Sequence, residues 1–347
     1  LVSKTPFDPN DLEEIRRHAD ALDFEVVLTP AGGPIPDLVS LARGEGVEEV
    51  ADRLQLDLSA PTDDAPFFFN MLRPSHWVLP GDVDPALYPN LVAVSMLVNL
   101  LLVVAVLTIS CVFVPLLLTK SRPPLRRHGP HLLYFAAIGL GFMFVEVSLL
   151  QRLTIFLGHP TYSLTTILFA LLIAGGAGSF LSTRLENTFR SKWIPLLWLL
   201  AAVTLVGLAS APAMRMFEAS GTPVRVAVVT TLVAVAGLFM GTALPLGMRS
   251  VADSAPGLIP WLWGINGATS VLGSVLAAAV ALAYGISASY WTGLFCYALA
   301  VAAMLWIGGR NRAPETHSGK AGAAGATPSC QPADAECTLA SAGSLSC

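Results

Sequence analysis

Seven apolar runs decide what this chain can fold into. They lie at roughly 91–118, 131–151, 163–182, 194–213, 225–246, 261–284 and 288–307. Each is long enough to cross about 30 Å of bilayer hydrocarbon at about 1.5 Å per residue. In lipid a backbone must satisfy its own hydrogen bonds, so single runs of this kind cross as helices. Composition agrees: 54% of residues are hydrophobic and 13% are charged, where a soluble domain carries about 25% charged residues. The fold class read from the sequence is therefore mainly α, a polytopic transmembrane bundle of about seven spans over residues 90–308. Its partner is the lipid bilayer. A net charge of −4 without a basic block argues against nucleic acid.

Aromatic residues flank the runs as an interfacial belt would: Trp77 and Tyr88, Trp193, Trp261 and Trp263, then Tyr290, Trp291 and Trp306. The loops on one side carry Lys120, Arg122, Arg126, Arg127, Arg184, Arg190, Lys192, Arg249, Arg310 and Arg312. The other side has Arg73, Arg152, Arg215 and Arg225. The bias favours the first side as cytoplasmic; either residues 1–80 then lie on the far side, as seven spans require, or the count of spans is off by one. Beyond residue 309 the Gly/Ala/Ser/Pro-rich tail to residue 347 predicts disorder. Cys111, Cys296, Cys330, Cys337 and Cys347 have no metal-ligand spacing, so no zinc site and no disulfide framework is expected.

Residues 1–80 have a different character. Asp8, Pro9 and Asp11 predict a capped helix start, followed by Leu12, Ile15, Ala19 and Leu22 at helical spacing. FEVVLTP (24–30) reads as a short buried strand closed by Pro30 and Gly32-Gly33, and residues 37–43 and 47–54 as short helices. Helix followed by strand is half of an α/β unit, which cannot bury its own faces, so an upstream part is expected. PTDDAPFFFNMLRP (61–74) has two readings. It is a turn that seats Phe67–Phe69 in a core or at the membrane interface, or Asp63 and Asp64 contact a ligand.

Within the runs, Glu146, Gln151, Arg152, His159 and Tyr162 form a polar cluster, and each ionisable group there is costly without a partner. Glu146 and Arg152 are six residues apart, about 240° around a helix, so they cannot pair on a continuous one. Glu146 then needs a partner from another span, and Asn266 is the candidate. Arg152 is free to snorkel to the interface. A structural clamp, a substrate or proton site, and interfacial placement all stay open. His159 reads as interfacial, with no second metal ligand in its turn. Asn266, Ser270 and Gly273 share one face of the sixth run. Gly175, Gly176, Gly178, Gly264, Gly267, Gly273 and Ser274 read as close-packing positions rather than a phosphate loop. Gly241, Pro245 and Gly247 read as a break in the fifth run of the kind that lines transporter cavities.

TPFDPNDLEEIRRHADALDFEVVLTP, PTDDAPFFF, FVEVSLLQRLTIFLGHPTYS and PWLWGINGATSVLGSVLA together resemble the C-terminal portion of bacterial membrane-bound spermidine synthase-like proteins. That family joins an aminopropyltransferase-type Rossmann domain to hydrophobic helices. The resemblance implies that residues 1–80 are a small α/β remnant of the Rossmann-like domain, with the upstream domain as a partner and the bacterial cytoplasmic membrane as the location. It implies S-adenosylmethionine or its decarboxylated form as cofactor of the parent. This chain lacks the glycine-rich loop and the family's acids, so no catalytic residue and no cofactor is assigned to it. Asp63 and Asp64 match the family's TDD motif without an assigned role. The expected function is a membrane module that anchors an amine-modifying domain or passes its substrate. The alternative is a transporter-like bundle moving a small solute through a polar cavity near Glu146 and Asn266.

Overall fold

The first helix starts where its cap dictates. In the computed structural model α1 (Pro9–Ala21) opens on Asp8: the Asp11 N–H donates to Asp8 Oδ1 at 2.8 Å and the Asp8 N–H to Asp11 Oδ2 at 3.0 Å. That reciprocal pair satisfies two of the N–H groups a helix start leaves open. α2 (Pro36–Arg43) closes on Gly44 at φ 71°, the left-handed cap that glycine adopts without strain. α3 (Val47–Leu54) follows, tied to α2 by an Arg53–Asp37 ion pair. The structure describes residues 6–30, 32–54, 57–70, 72–77, 89–118, 125–188, 193–252 and 255–310. The tail, Tyr88, and the basic residues Lys120, Arg122, Arg190, Lys192 and Arg312 lie outside these.

The α/β expectation is corrected here. No strand forms among the described residues; only isolated bridges join Thr29 to Gly32 and Thr62 to Ala65. Phe24, Val27 and Leu28 are 67%, 39% and 43% exposed. The physical reason is that a strand exists only by pairing, and among the described residues no second extended segment pairs with residues 24–30.

The apolar runs form seven helices long and apolar enough to cross a membrane. They are α4 (Pro89–Leu118), α5 (Leu125–Leu157), α6 (Pro160–Thr188), α7 (Ile194–Phe217), α8 (Thr222–Ala252), α9 (Ile259–Tyr284) and α10 (Ile286–Arg310). α5 is the central element, packed by α6, α8, α9 and α10; α7 lies on α8 and α10, and α4 sits at the edge on α9. Leu172, Ile173, Phe180, Leu205 and Leu208 all point outward, an apolar exterior that lipid can solvate and water cannot.

Small residues bring the helices together, though not at every position the sequence marks. A Cβ on Gly178 would stand 1.9 Å from the Leu238 carbonyl oxygen, and one on Gly241 2.1 Å from that of Gly175. α6 and α8 therefore meet backbone to backbone. Gly273 lies against Leu140 and Met143 of α5, whereas Gly176, Gly264 and Gly267 have nothing within 4 Å. Those three are not packing positions. Nor is the fifth run broken: α8 is continuous through Pro245, Gly241 faces α6, and Gly247 makes room for Tyr134. The Tyr134 hydroxyl donates to the Ala243 carbonyl at 2.6 Å. Tyr290 is not a belt residue. It is 1% exposed, and its hydroxyl donates to the Val203 carbonyl at 2.6 Å, so a buried phenol has the partner it requires.

With seven alternating helices, the turns at 158–159, 218–221 and 285 share one end of the bundle, and the Thr62–Ala65 turn packs onto that end. Arg184 and Arg249 lie at the opposite end, where Arg249 donates to the Thr183 hydroxyl at 2.7 Å.

Candidate functional site

α9 and α10 are separated by one residue, Gly285, at φ 93°. The first N–H groups of α10 have no acceptor within their own helix. A turn from the extramembrane segment supplies them. The Ala65 N–H donates to the Thr62 carbonyl at 3.0 Å and to its hydroxyl at 3.2 Å, and this tight reversal projects Asp64. The Ile286 N–H donates to the Asp64 carbonyl at 2.8 Å. The Ser287 N–H and hydroxyl donate to Asp64 Oδ1 at 2.8 and 2.6 Å. Asp64 thus caps α10 from 223 positions away, and its negative charge suits the positive end of the helix dipole. Gly285 is required twice over: by its φ, and because a Cβ there would stand 2.7 Å from Asp64 Oδ2.

Arg152, in the last turns of α5, completes the junction. It donates to the Ser287 hydroxyl at 2.5 Å, to the Ser210 hydroxyl of α7 at 3.0 Å, and to Asp64 Oδ1 at 3.4 Å. Its side chain is 13% exposed and that of Asp64 46%. A guanidinium at a span end is costly to desolvate, and two hydroxyls and a carboxylate offset that cost. Solvent at Asp64 screens the ion pair itself to about 1 kcal/mol or less. The charge-assisted hydrogen bonds carry more of the stabilisation.

Beside the junction lies a cavity of about 380 Å³, walled by the ends of α5, α7, α8 and α10 and by the Asp63–Asp64 turn. Arg152, Arg215 and Arg225 line it together with Asp63, Asp64 and Glu218, and apolar residues including Phe156 and Met214 complete the lining. Arg225 donates to the carbonyls of Phe156, at 3.2 Å, and of Glu218. Its guanidinium lies 5.6 Å from the centre of the Phe156 ring.

The sequence candidates divide accordingly. Arg152, Asp63 and Asp64 are brought together, and Arg152 is clamped rather than snorkelling. Glu146 and Asn266 are not brought together. Asn266 donates to the Phe135 carbonyl at 3.1 Å, more than 10 Å along α5 from Glu146 at about 1.5 Å per residue. Glu146 makes no hydrogen bond or ion pair among the described residues. The face carrying Asn266, Ser270 and Gly273 packs on α5: Ser270 donates to the Gly139 carbonyl at 3.4 Å. Gln151 Oε1 is buried without a hydrogen-bond partner among the described residues. His159 and Tyr162 are exposed at the α5–α6 turn, ring centres 5.5 Å apart. Phe68 and Phe69 lie against each other at 3.8 Å and stay exposed rather than entering a core. Ser210, Ser287 and Gly285 carry the junction and were not singled out in the sequence. The short gap between the sixth and seventh apolar runs, with Gly at 285 and Ser at 287, is the signal that marks Gly285 and Ser287; Ser210 has none. No group of three or more His, Cys, Asp or Glu stands ready to hold a metal among the described residues.

Fold and site together define a bundle of seven potential membrane spans with an extramembrane turn pinned into one end. No family model, curated protein or solved structure matches the chain.

Proposed function

We propose that this chain is the membrane module of a spermidine synthase-like protein, and that its bundle anchors and orients the extramembrane part. The observation that supports the reading is the Asp64–Arg152–Ser287 junction, which fixes the extramembrane segment to the ends of α5 and α10 at once. Asp64 belongs to the TDD motif and Arg152 to FVEVSLLQRLTIFLGHPTYS, two of the stretches on which the resemblance rests. The motif thereby acquires a docking role. Chemistry on an amine, with S-adenosylmethionine or its decarboxylated form, then belongs to the upstream domain of the parent.

The positive-inside bias places the docked end away from the cytoplasm. Passage of a solute past Glu146 and Asn266 has less to support it. Neither residue lines the Arg152 cavity or the three cavities on the amino-terminal segment.

Hydrogen exchange on detergent-solubilised protein tests the dock. In Asp64→Ala the Ile286 and Ser287 amides should exchange at least about tenfold faster, a change of about 1.4 kcal/mol in local opening. Unchanged exchange would remove the docking role. The enzyme link is tested separately by the coding sequence upstream of Leu1. A glycine-rich strand–helix unit is expected there, and an unrelated sequence would break the link.

A further inference from the structure

The cavity beside Arg152 holds charges that the junction leaves over. Arg152 and Asp64 are engaged with each other, with Ser210 and with Ser287. Arg225 is held by two backbone carbonyls and has no carboxylate in ion-pair range among the described residues, and its Nε is buried without a partner. Arg215, one helix away on the rim, makes no hydrogen bond or ion pair among the described residues. The Asp63 carboxylate, which also lines the cavity, makes none either among the described residues. Two guanidinium groups without a carboxylate partner and a carboxylate without a cation partner, counted among the described residues, therefore line one space of about 380 Å³, within the range of about 300–1,000 Å³ typical of small-molecule sites.

We infer that this cavity binds a small zwitterion that carries a primary ammonium and a phosphate. The phosphate fits Arg215 and Arg225, since guanidinium forks match phosphate oxygens. The ammonium fits Asp63, with the Glu218 carboxylate also on the rim. Charge balance speaks against a polycation: three carboxylates meet three guanidinium groups, whereas a polyamine site needs carboxylate in excess. The cavity lies at span ends, and Ile155, which lines it, is 43% exposed. The same chemistry can therefore arrive as an aminophospholipid headgroup, with its acyl chains along Ile155, or as a free phosphoamine.

Two arms separate the sources. Calorimetry of the full chain in detergent with O-phosphoethanolamine reads the free form. Native mass spectrometry from nanodiscs of phosphatidylethanolamine mixed with phosphatidylglycerol reads the lipid form. Saturable stoichiometric binding in either arm is the expected result, weakened about tenfold, or about 1.4 kcal/mol, by Arg215→Gln and by Asp63→Asn. Both residues are exposed and outside the Asp64–Arg152–Ser287 junction, so docking and binding are read apart. Spermidine should not compete. The site is overturned if neither ligand binds in preference to phosphatidylglycerol, if both variants bind like the parent, or if spermidine displaces the ligand.

Discussion

Arg152 and Asp64 are 88 positions apart in the chain and meet at 3.4 Å, with the Ser287 hydroxyl hydrogen-bonded to both. One residue is in a membrane-length helix and the other in an extramembrane turn. The contact therefore couples the two parts of the molecule directly, and it accounts for an arginine at a helix end that would otherwise reach for water.

The two halves of this pair should not be equivalent on mutation. Asp64→Ala removes the cap on α10 and leaves a largely buried guanidinium with two hydroxyls. A loss of about 1–3 kcal/mol is expected. Arg152→Met leaves Asp64 half exposed and still bonded to Ser287, so it should cost less. Thermal unfolding in detergent gives the order, and a larger loss for Arg152→Met would refute it.

Packing makes a sharper contrast among the glycines. Gly178→Ala and Gly241→Ala drive a methyl into a facing backbone and should cost about 1–3 kcal/mol or more. Gly264→Ala and Gly267→Ala meet open space and replace a poor helix former, so they should be neutral or stabilising by up to about 1 kcal/mol. Equal losses at the four sites would mean that α6 and α8 do not meet in this way.

Asn266 and Glu146 should behave independently. Asn266→Ala loses an interhelical bond to the Phe135 carbonyl, worth about 0.6–1.7 kcal/mol in membranes. Glu146→Gln should shift stability by no more than a few tenths. The double mutant should be additive within about 0.5 kcal/mol; a larger coupling energy would reinstate them as partners.

Acid sensitivity should include a small contribution from Asp57. Hydrogen bonds from Ser59, first from its side chain and then from its N–H, hold the Asp57 carboxyl below its ordinary value of 3.8, with Arg73 adding a smaller effect. A depressed folded-state pKa gives stability that is present above the ordinary value and lost as pH falls through the depressed one. An NMR titration of the Asp57 carboxyl carbon checks this, and a midpoint at or above 3.8 contradicts it.

Sidedness gives the last expectation. Reporter fusions after Gly129 and after Arg312 should both read cytoplasmic. Cysteines placed at Gly158 and Ser220, in turns at the docked end, should label only from the other side. Agreement of all four positions on one side would contradict the seven-span topology.

Several features were legible in the sequence because their physics is local. The seven apolar runs had to become helices, since a backbone in lipid must bond within itself. Asp8 and Asp11 capped α1 because a capping box spans only four residues. The inability of Glu146 to pair with Arg152 followed from helical periodicity alone, and so did the shared face of Asn266, Ser270 and Gly273. Tertiary structure decided what depends on which helix ends meet. Periodicity showed that Glu146 lacked a partner on its own helix, but not that Asn266 would turn to the Phe135 carbonyl instead. The residues from Phe24 to Pro30 have the composition of a strand, yet a strand needs a neighbour that local sequence cannot supply. Asp64 looked like one of two acids in a turn. Its role arises because Gly285 interrupts two helices 221 residues further on, leaving N–H groups that only a group arriving from elsewhere in the chain can satisfy.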